Sequence, residues 1–148
     1  MSGNRIFALS LFLLWFFISS ILSAQDKLSI AVLPLEENGI SPSEAMVLTD
    51  ELRSVLVQSG NYIVVERSNM ESILQEQGFQ LSGCTSTECA VEAGKLLGVN
   101  KMVAGSVGKL GELYNISIRM FDVESGQIEK TVSEKHEGSV EELLDITN

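Results

Sequence analysis

The chain has two cysteines, Cys84 and Cys89, set with four residues between them in CTSTECAVEAGKLLG (84–98). A pair so spaced could be half of a metal site, a redox couple or a covalent staple. Structural zinc takes four ligands, and the other good donor, His136, has no paired spacing to the cysteines. A redox catalyst usually shows C-x-x-C at a helix start, where the helix stabilises the thiolate. The spacing here is wider, although Cys89 is still within reach of a helix N-terminus. The staple has the most direct physical basis. With Thr85 as the cap, Glu88 completes a T-x-x-E capping box, Cys84 precedes the cap and Cys89 is the fourth helical residue. Side chains at those two positions normally pack together and fix how the chain enters a helix. We therefore read Cys84 and Cys89 as a structural disulfide, worth about 2 kcal/mol for so small a loop, with thiol exchange as the alternative.

Other residues of chemical interest converge less. His136 is the single histidine, on a polar stretch with no serine or cysteine nucleophile placed beside it. GSVGKLG (105–111) has the look of a phosphate loop, but such loops follow a strand and open a helix. This run precedes another strand, so its glycines are expected to serve turns and close packing. Carboxylates are plentiful, yet none is marked out as one of an acid–base pair. Asn115-Ile116-Ser117 fits a glycosylation acceptor but falls in mid-strand. No catalytic, cofactor-binding or metal-ligating set emerges, and the chain is not expected to be an enzyme, to hold a cofactor or to take a small-molecule substrate.

The elements around these residues follow from hydrophobic periodicity. LSIAVLPLEE (28–37) is an apolar run of buried-strand length, with Pro34 near its end. Residues 40–60 form a helix in which Ser41 and Glu44 make a capping box, Pro42 suits the first turn and Gly60 ends it. Its buried stripe comprises Ala45, Leu48, Leu52, Val55 and Leu56. NYIVVER (61–67) is a second buried strand, and SNMESILQEQG (68–78) a short helix with a Ser68–Glu71 box. The cysteine-bearing helix ends at Gly98. Strands follow over 101–110, 112–123 and 127–137, the last polar and suited to a sheet edge. A final helix starts with a Ser139–Glu142 box. The fold class is thus α/β (α+β): a mixed sheet in the order β-α-β-α-α-β-β-β-α, helices mainly on one face. Its first half suggests a parallel crossover and its second an antiparallel meander.

The N-terminus sets the compartment. Arg5 is followed by an apolar run from Ile6 to Leu22 and then Ser23-Ala24, the order of a secretory signal. We expect a signal peptide over residues 1–24, cut after Ala24, and a single domain over 25–148. A retained membrane anchor is the alternative, since the run is long for a signal. Outside the cytoplasm a disulfide persists. Residues 25–148 carry nine basic and twenty acidic side chains, a net charge of −11. Such a surface repels phosphate backbones, which disfavours nucleic acid as a partner.

The stretches VVERSNMESILQEQGFQLSG and CTSTECAVEAGKLLGVNKMVAGSVGKLGELYNISIRMFDVESGQI resemble the CsgG family of curli secretion components. The pieces that carry the likeness are V-V-E-R before a helix, E-Q-G-x-Q-x-S-G before the cysteines, C-x4-C-A, and L-L-G-V before a G-S-V strand. The likeness spans roughly residues 28–146 and extends to the fold of LpoB, an activator of penicillin-binding proteins, and of the TolB N-terminal domain. It implies a non-enzymatic periplasmic or outer-membrane-associated domain that works through contacts with other envelope proteins, including copies of itself. Two features depart from the curli channel: no cysteine stands at the cut to take a lipid, and the turns at KLGE and ESGQ are too short for membrane-spanning hairpins. The resemblance therefore implies assembly, secretion or scaffolding without a pore. Regulation of a cell-wall synthase and thiol oxidoreduction by Cys84 and Cys89 are the alternatives. Membrane contact is expected only if the N-terminal segment is kept.

Overall fold

A computed structural model describes residues 27–81, 84 and 86–138. The expected signal over residues 1–24, Thr85 and the expected Ser139–Glu142 helix lie outside the described residues. The elements run β1 (Leu28–Val32), β2 (Glu36–Asn38), α1 (Pro42–Gln58), β3 (Tyr62–Val64), α2 (Arg67–Glu76), α3 (Thr87–Leu97), β4 (Lys101–Leu110), β5 (Leu113–Asp122) and β6 (Ile128–Glu137). The six strands among the described residues share one sheet, in the order β3-β1-β4-β5-β6, with β2 also paired to β4. β1 is parallel to β3 and β4, whereas β4, β5 and β6 form an antiparallel meander. The mixed sheet and its element order are those expected from the sequence, with β2 in addition.

Burial on both faces explains why β1 reads as a continuous apolar run. Ile30 and Val32 pack with Val103, Leu52 and Leu56, on the face covered by α1. Ala31 and Leu33 pack with Met70, Leu74, Ala90, Ala93 and Phe121, on the face covered by α2 and α3. Two of the three helices among the described residues therefore share a face, and α1 covers the other. β5 divides in the same way. Tyr114, Ile116 and Ile118 join Leu35, Ala45 and Leu48 beneath α1. Phe121, which interrupts the polar side of that strand, is needed beneath α3.

Several boundaries move, each for a local reason. The run 28–37 is two strands, because Pro34 has no N–H to give the ladder. Val32 pairs with Val103 and the pairing resumes only at Glu36 with Ser106. In the gap, Leu35 N–H donates to Thr49 Oγ1 at 3.1 Å. The Ser41–Glu44 box closes α1 as expected. In α2 the cap is Glu66 rather than Ser68: its carboxylate accepts from Asn69 N–H at 3.2 Å and from the Ser68 hydroxyl. A charged acceptor two residues upstream thus displaces the Ser68–Glu71 box. Gly94 and Gly105 serve close packing. A Cβ at Gly94 would lie 2.5 Å from Val123 Cγ2 and 2.6 Å from Met102 Cγ, and one at Gly105 would strike the Ser117 carbonyl.

Candidate functional site

The cysteine pair lies at the start of α3. Ser86 is the cap and accepts the Cys89 N–H at 3.2 Å. Cys89 is consequently the third helical residue, and Cys84 lies two residues before the cap, one step from the positions expected with Thr85 as cap. Adjacent hydroxyls can each cap a helix, and sequence alone does not rank them. A disulfide joins Cys84 to Cys89 with their Cα atoms 5.4 Å apart. Cys84 is only 8% exposed and packs in the cluster that holds Met70, Leu74 and Ala90. The bridge therefore fastens the chain leaving α2 to the first turn of α3, inside the core.

The other residues singled out from the sequence stay apart. His136 lies near the end of β6, paired with Tyr114. Gly105 and Gly108 lie within β4, and Gly111, at φ 65°, makes the turn into β5. No helix follows them, so no amide cradle or helix dipole faces a phosphate there. Asn115 and Ser117 are mid-strand, opposite Gly108 and Ser106. Among the described residues no group of three His, Cys, Asp or Glu side chains is placed to hold a metal.

The topology does create a crevice that the sequence did not announce. β1 leads into α1 on one face of the sheet, and its neighbour β3 leads into α2 on the other. The chain parts at the carboxyl ends of these strands, where open α/β sheets form a cleft. Here it is a cavity of 160 Å³ lined by Pro34, Leu35, Thr49, Arg53, Arg67 and Glu71. Arg53 is 8% exposed; its Nη2 donates to the Val32 carbonyl at 2.7 Å and its Nη1 to Asp50 Oδ1 at 2.5 Å. Arg67 lies 3.5 Å from both Asp50 and Glu71. Burial pushes the Arg53 pKa down and Asp50 draws it back up, so the side chain remains a cation. Both guanidiniums face carboxylates, and Glu37 adds further negative charge to the lining. The two arginines act as a clamp: Arg53 ties α1 to the end of β1, and Arg67 ties α2 to α1 through Asp50. One signal pointed to Arg53. Ala45, Thr49 and Arg53 follow one another at four-residue steps along the inner face of α1, and only the polar type of the last two hid them.

The opposite side of the sheet is built differently. Almost every residue of β6 is exposed, and among the described residues β6 pairs with β5 alone. The β4–β5 turn carries Leu110, 83% exposed, and Leu113. At the base of this arm Lys101 Nζ reaches Asp122 Oδ2 at 2.8 Å and Glu129 Oε1 at 2.6 Å, joining β4, β5 and β6. A hydrogen bond from Lys101, followed by bonds from Ser125, holds the Asp122 carboxyl far below the usual carboxylate range. Glu129 occupies a bulge opposite Met120 and Phe121. The polar, open strand expected from the sequence is therefore accessible along nearly its whole length.

Comparison with known proteins places this architecture. The fold resembles the LpoB C-terminal domain from Salmonella enterica, with a TM-score of 0.64 at 16% identity, over 81% of this chain and 92% of that one. It resembles a subunit of a PelC dodecamer from Paraburkholderia phytofirmans, with a TM-score of 0.54 at 12% identity, over 78% of this chain and 79% of that one. TolB from Acinetobacter baumannii gives 0.53 at 12% identity, over 82% of this chain and 26% of that one. No curated protein matches the sequence. The family described as curli production assembly/transport component CsgG matches residues 22–117, well over half the chain. The chain belongs to the CsgG family.

Proposed function

We propose that this chain is a non-enzymatic domain of the bacterial cell envelope, acting in assembly, secretion or scaffolding through contacts with other proteins and without forming a pore itself. The observation that carries the reading is an acidic CsgG-family domain whose crevice is lined by its own ion pairs, while a whole strand edge, β6, is left accessible. Export by the segment over residues 1–24 would deliver it to the periplasm or the outer membrane, where the Cys84–Cys89 bridge persists. The turns Gly111–Glu112 and Val123–Gln127 join β4, β5 and β6 directly, which supports a domain that keeps the soluble fold. The PelC neighbour is a dodecamer, which supports self-association as one of this chain's contacts.

In-cell crosslinking of the exported protein, with identification of whatever is attached, tests the reading. Adducts with other envelope proteins or with copies of the chain support it; a protein that stays in the cytoplasm, or crosslinks to nothing, overturns it. The fold of the LpoB C-terminal domain favours one second reading, regulation of a cell-wall synthase, which predicts such an enzyme among the adducts.

A further inference from the structure

The outer edge of β6 reads IEKTVSEKHE (128–137), and its charges are antisymmetric about Val132. Lys130 and Glu134 flank Val132 two residues to either side, on the same face of the strand. Four residues of strand put them about 13 Å apart, too far to pair with each other. Across the ladder their neighbours on β5 are apolar: Lys130 faces Met120, Val132 faces Ile118 and Glu134 faces Ile116. Neither charge has an ion pair among the described residues, and Val132 between them is 52% exposed.

We propose that β6 pairs antiparallel with β6 of a second copy of this chain, about a two-fold axis through Val132, so that two sheets continue into one. On that axis Lys130 faces the partner's Glu134, Glu134 faces the partner's Lys130, Thr131 faces the partner's Ser133, and the two Val132 side chains meet. Opposite charges and hydroxyl pairs set directly across two strands stabilise a sheet, and an isologous contact makes each pair twice. Neighbouring registers lack this match. An axis at Ser133 sets Lys130 against the partner's His136 and Val132 against the partner's Glu134. An axis at Thr131 sets Lys130 against the partner's Val132. Lysines scattered on an edge to discourage pairing would not single out one register, and here one is singled out. Glu129, held by Lys101 at the bulge, bounds the regular ladder on that side.

The inference rests on the reading that this domain works through protein contacts, and it adds one defined contact to that reading. Sedimentation equilibrium on the purified mature chain tests it. The native protein should show a concentration-dependent dimer. Lys130→Glu or Glu134→Lys should each weaken that dimer roughly tenfold or more, since either change opposes like charges twice. The double exchange Lys130→Glu with Glu134→Lys recreates both pairs and should restore it. A Val132→Cys chain gives an independent measure. Opposed residues of an antiparallel pair have Cα atoms about 4.5–5.5 Å apart, within disulfide reach, so mild oxidation should yield a covalent dimer. A native chain that stays monomeric, assembles only into larger rings, or keeps its dimer through both single reversals overturns the proposal, as does a double exchange that fails to rescue while melting like the native protein. If the dimer is absent while crosslinks to other envelope proteins are found in cells, this inference falls and the functional reading stands.

Discussion

β1 and β6 are strands of the same sheet, yet they share almost nothing. Ile30, Ala31 and Val32 of β1 are fully buried, with α1 on one side and α2 and α3 on the other. β6 is exposed along nearly all its length. The sequences differ accordingly. A strand buried on both faces needs no alternation and has none, whereas β6, in water, carries charges at half its positions without losing its ladder. The side of the sheet that holds the fold together is therefore distinct from the side that can meet another molecule. Substitutions should separate the two.

The largest separation is expected in the core. Phe121, fully buried beneath α3, should cost about 3–5 kcal/mol when replaced by alanine. Thr131→Ala on β6 should change stability by no more than about 0.5 kcal/mol. Urea unfolding followed by circular dichroism measures both. A Thr131 variant as damaged as the Phe121 variant would mean that the arm is part of the folding core, and the division would collapse.

A smaller effect sharpens the same division from inside the core. Replacing Cys84 and Cys89 together by serine removes a short covalent loop, worth about 2 kcal/mol, and exposes nothing on β6. The variant should melt earlier while any self-association through β6 persists. A loss of assembly equal to the loss of stability would show instead that the bridge shapes the contact surface.

What could be foreseen from sequence follows the same line. Elements fixed by local chemistry were visible: the Ser41–Glu44 box, the buried β1 run, the polar β6 edge and the cysteine-led start of α3. What depended on competition or on distant neighbours was not. Glu-Glu-Asn has no strand character, and β2 forms only because β4 runs on past Pro34 and offers Ser106 to Gly108 as partners. Glu66 outcompetes Ser68 as a cap because a carboxylate is the stronger acceptor for two donors at once. Arg53 escaped notice because its partner, the Val32 carbonyl, lies 21 residues away in sequence on another element. The crevice is a product of connections on opposite faces, which no single stretch records.

The smallest expected effect lies at the junction of the two regions. Lys101, buried at the start of β4, reaches Asp122 on β5 and Glu129 on β6. Burial pushes the Lys101 ammonium down, but its hydrogen bonds to the two carboxylates outweigh that and leave its pKa above the ordinary value. Asp122 is held below its own ordinary value, first by Lys101 and then by Ser125. A depressed carboxyl stabilises the folded state above its unfolded pKa, about 3.9, and that contribution is lost as pH falls through the lower folded value. A raised ammonium contributes below its unfolded pKa, about 10.4, and is lost as pH rises through the higher folded value. Lys101→Met removes the ammonium and the main cause of the Asp122 shift together. Its melting temperature should therefore fall less than that of the native chain between about pH 5 and 2, and again above about pH 10. Equal slopes in the two proteins would show that the Lys101 triad contributes nothing electrostatic at the seam, leaving the β5–β6 ladder alone to hold the arm to the body.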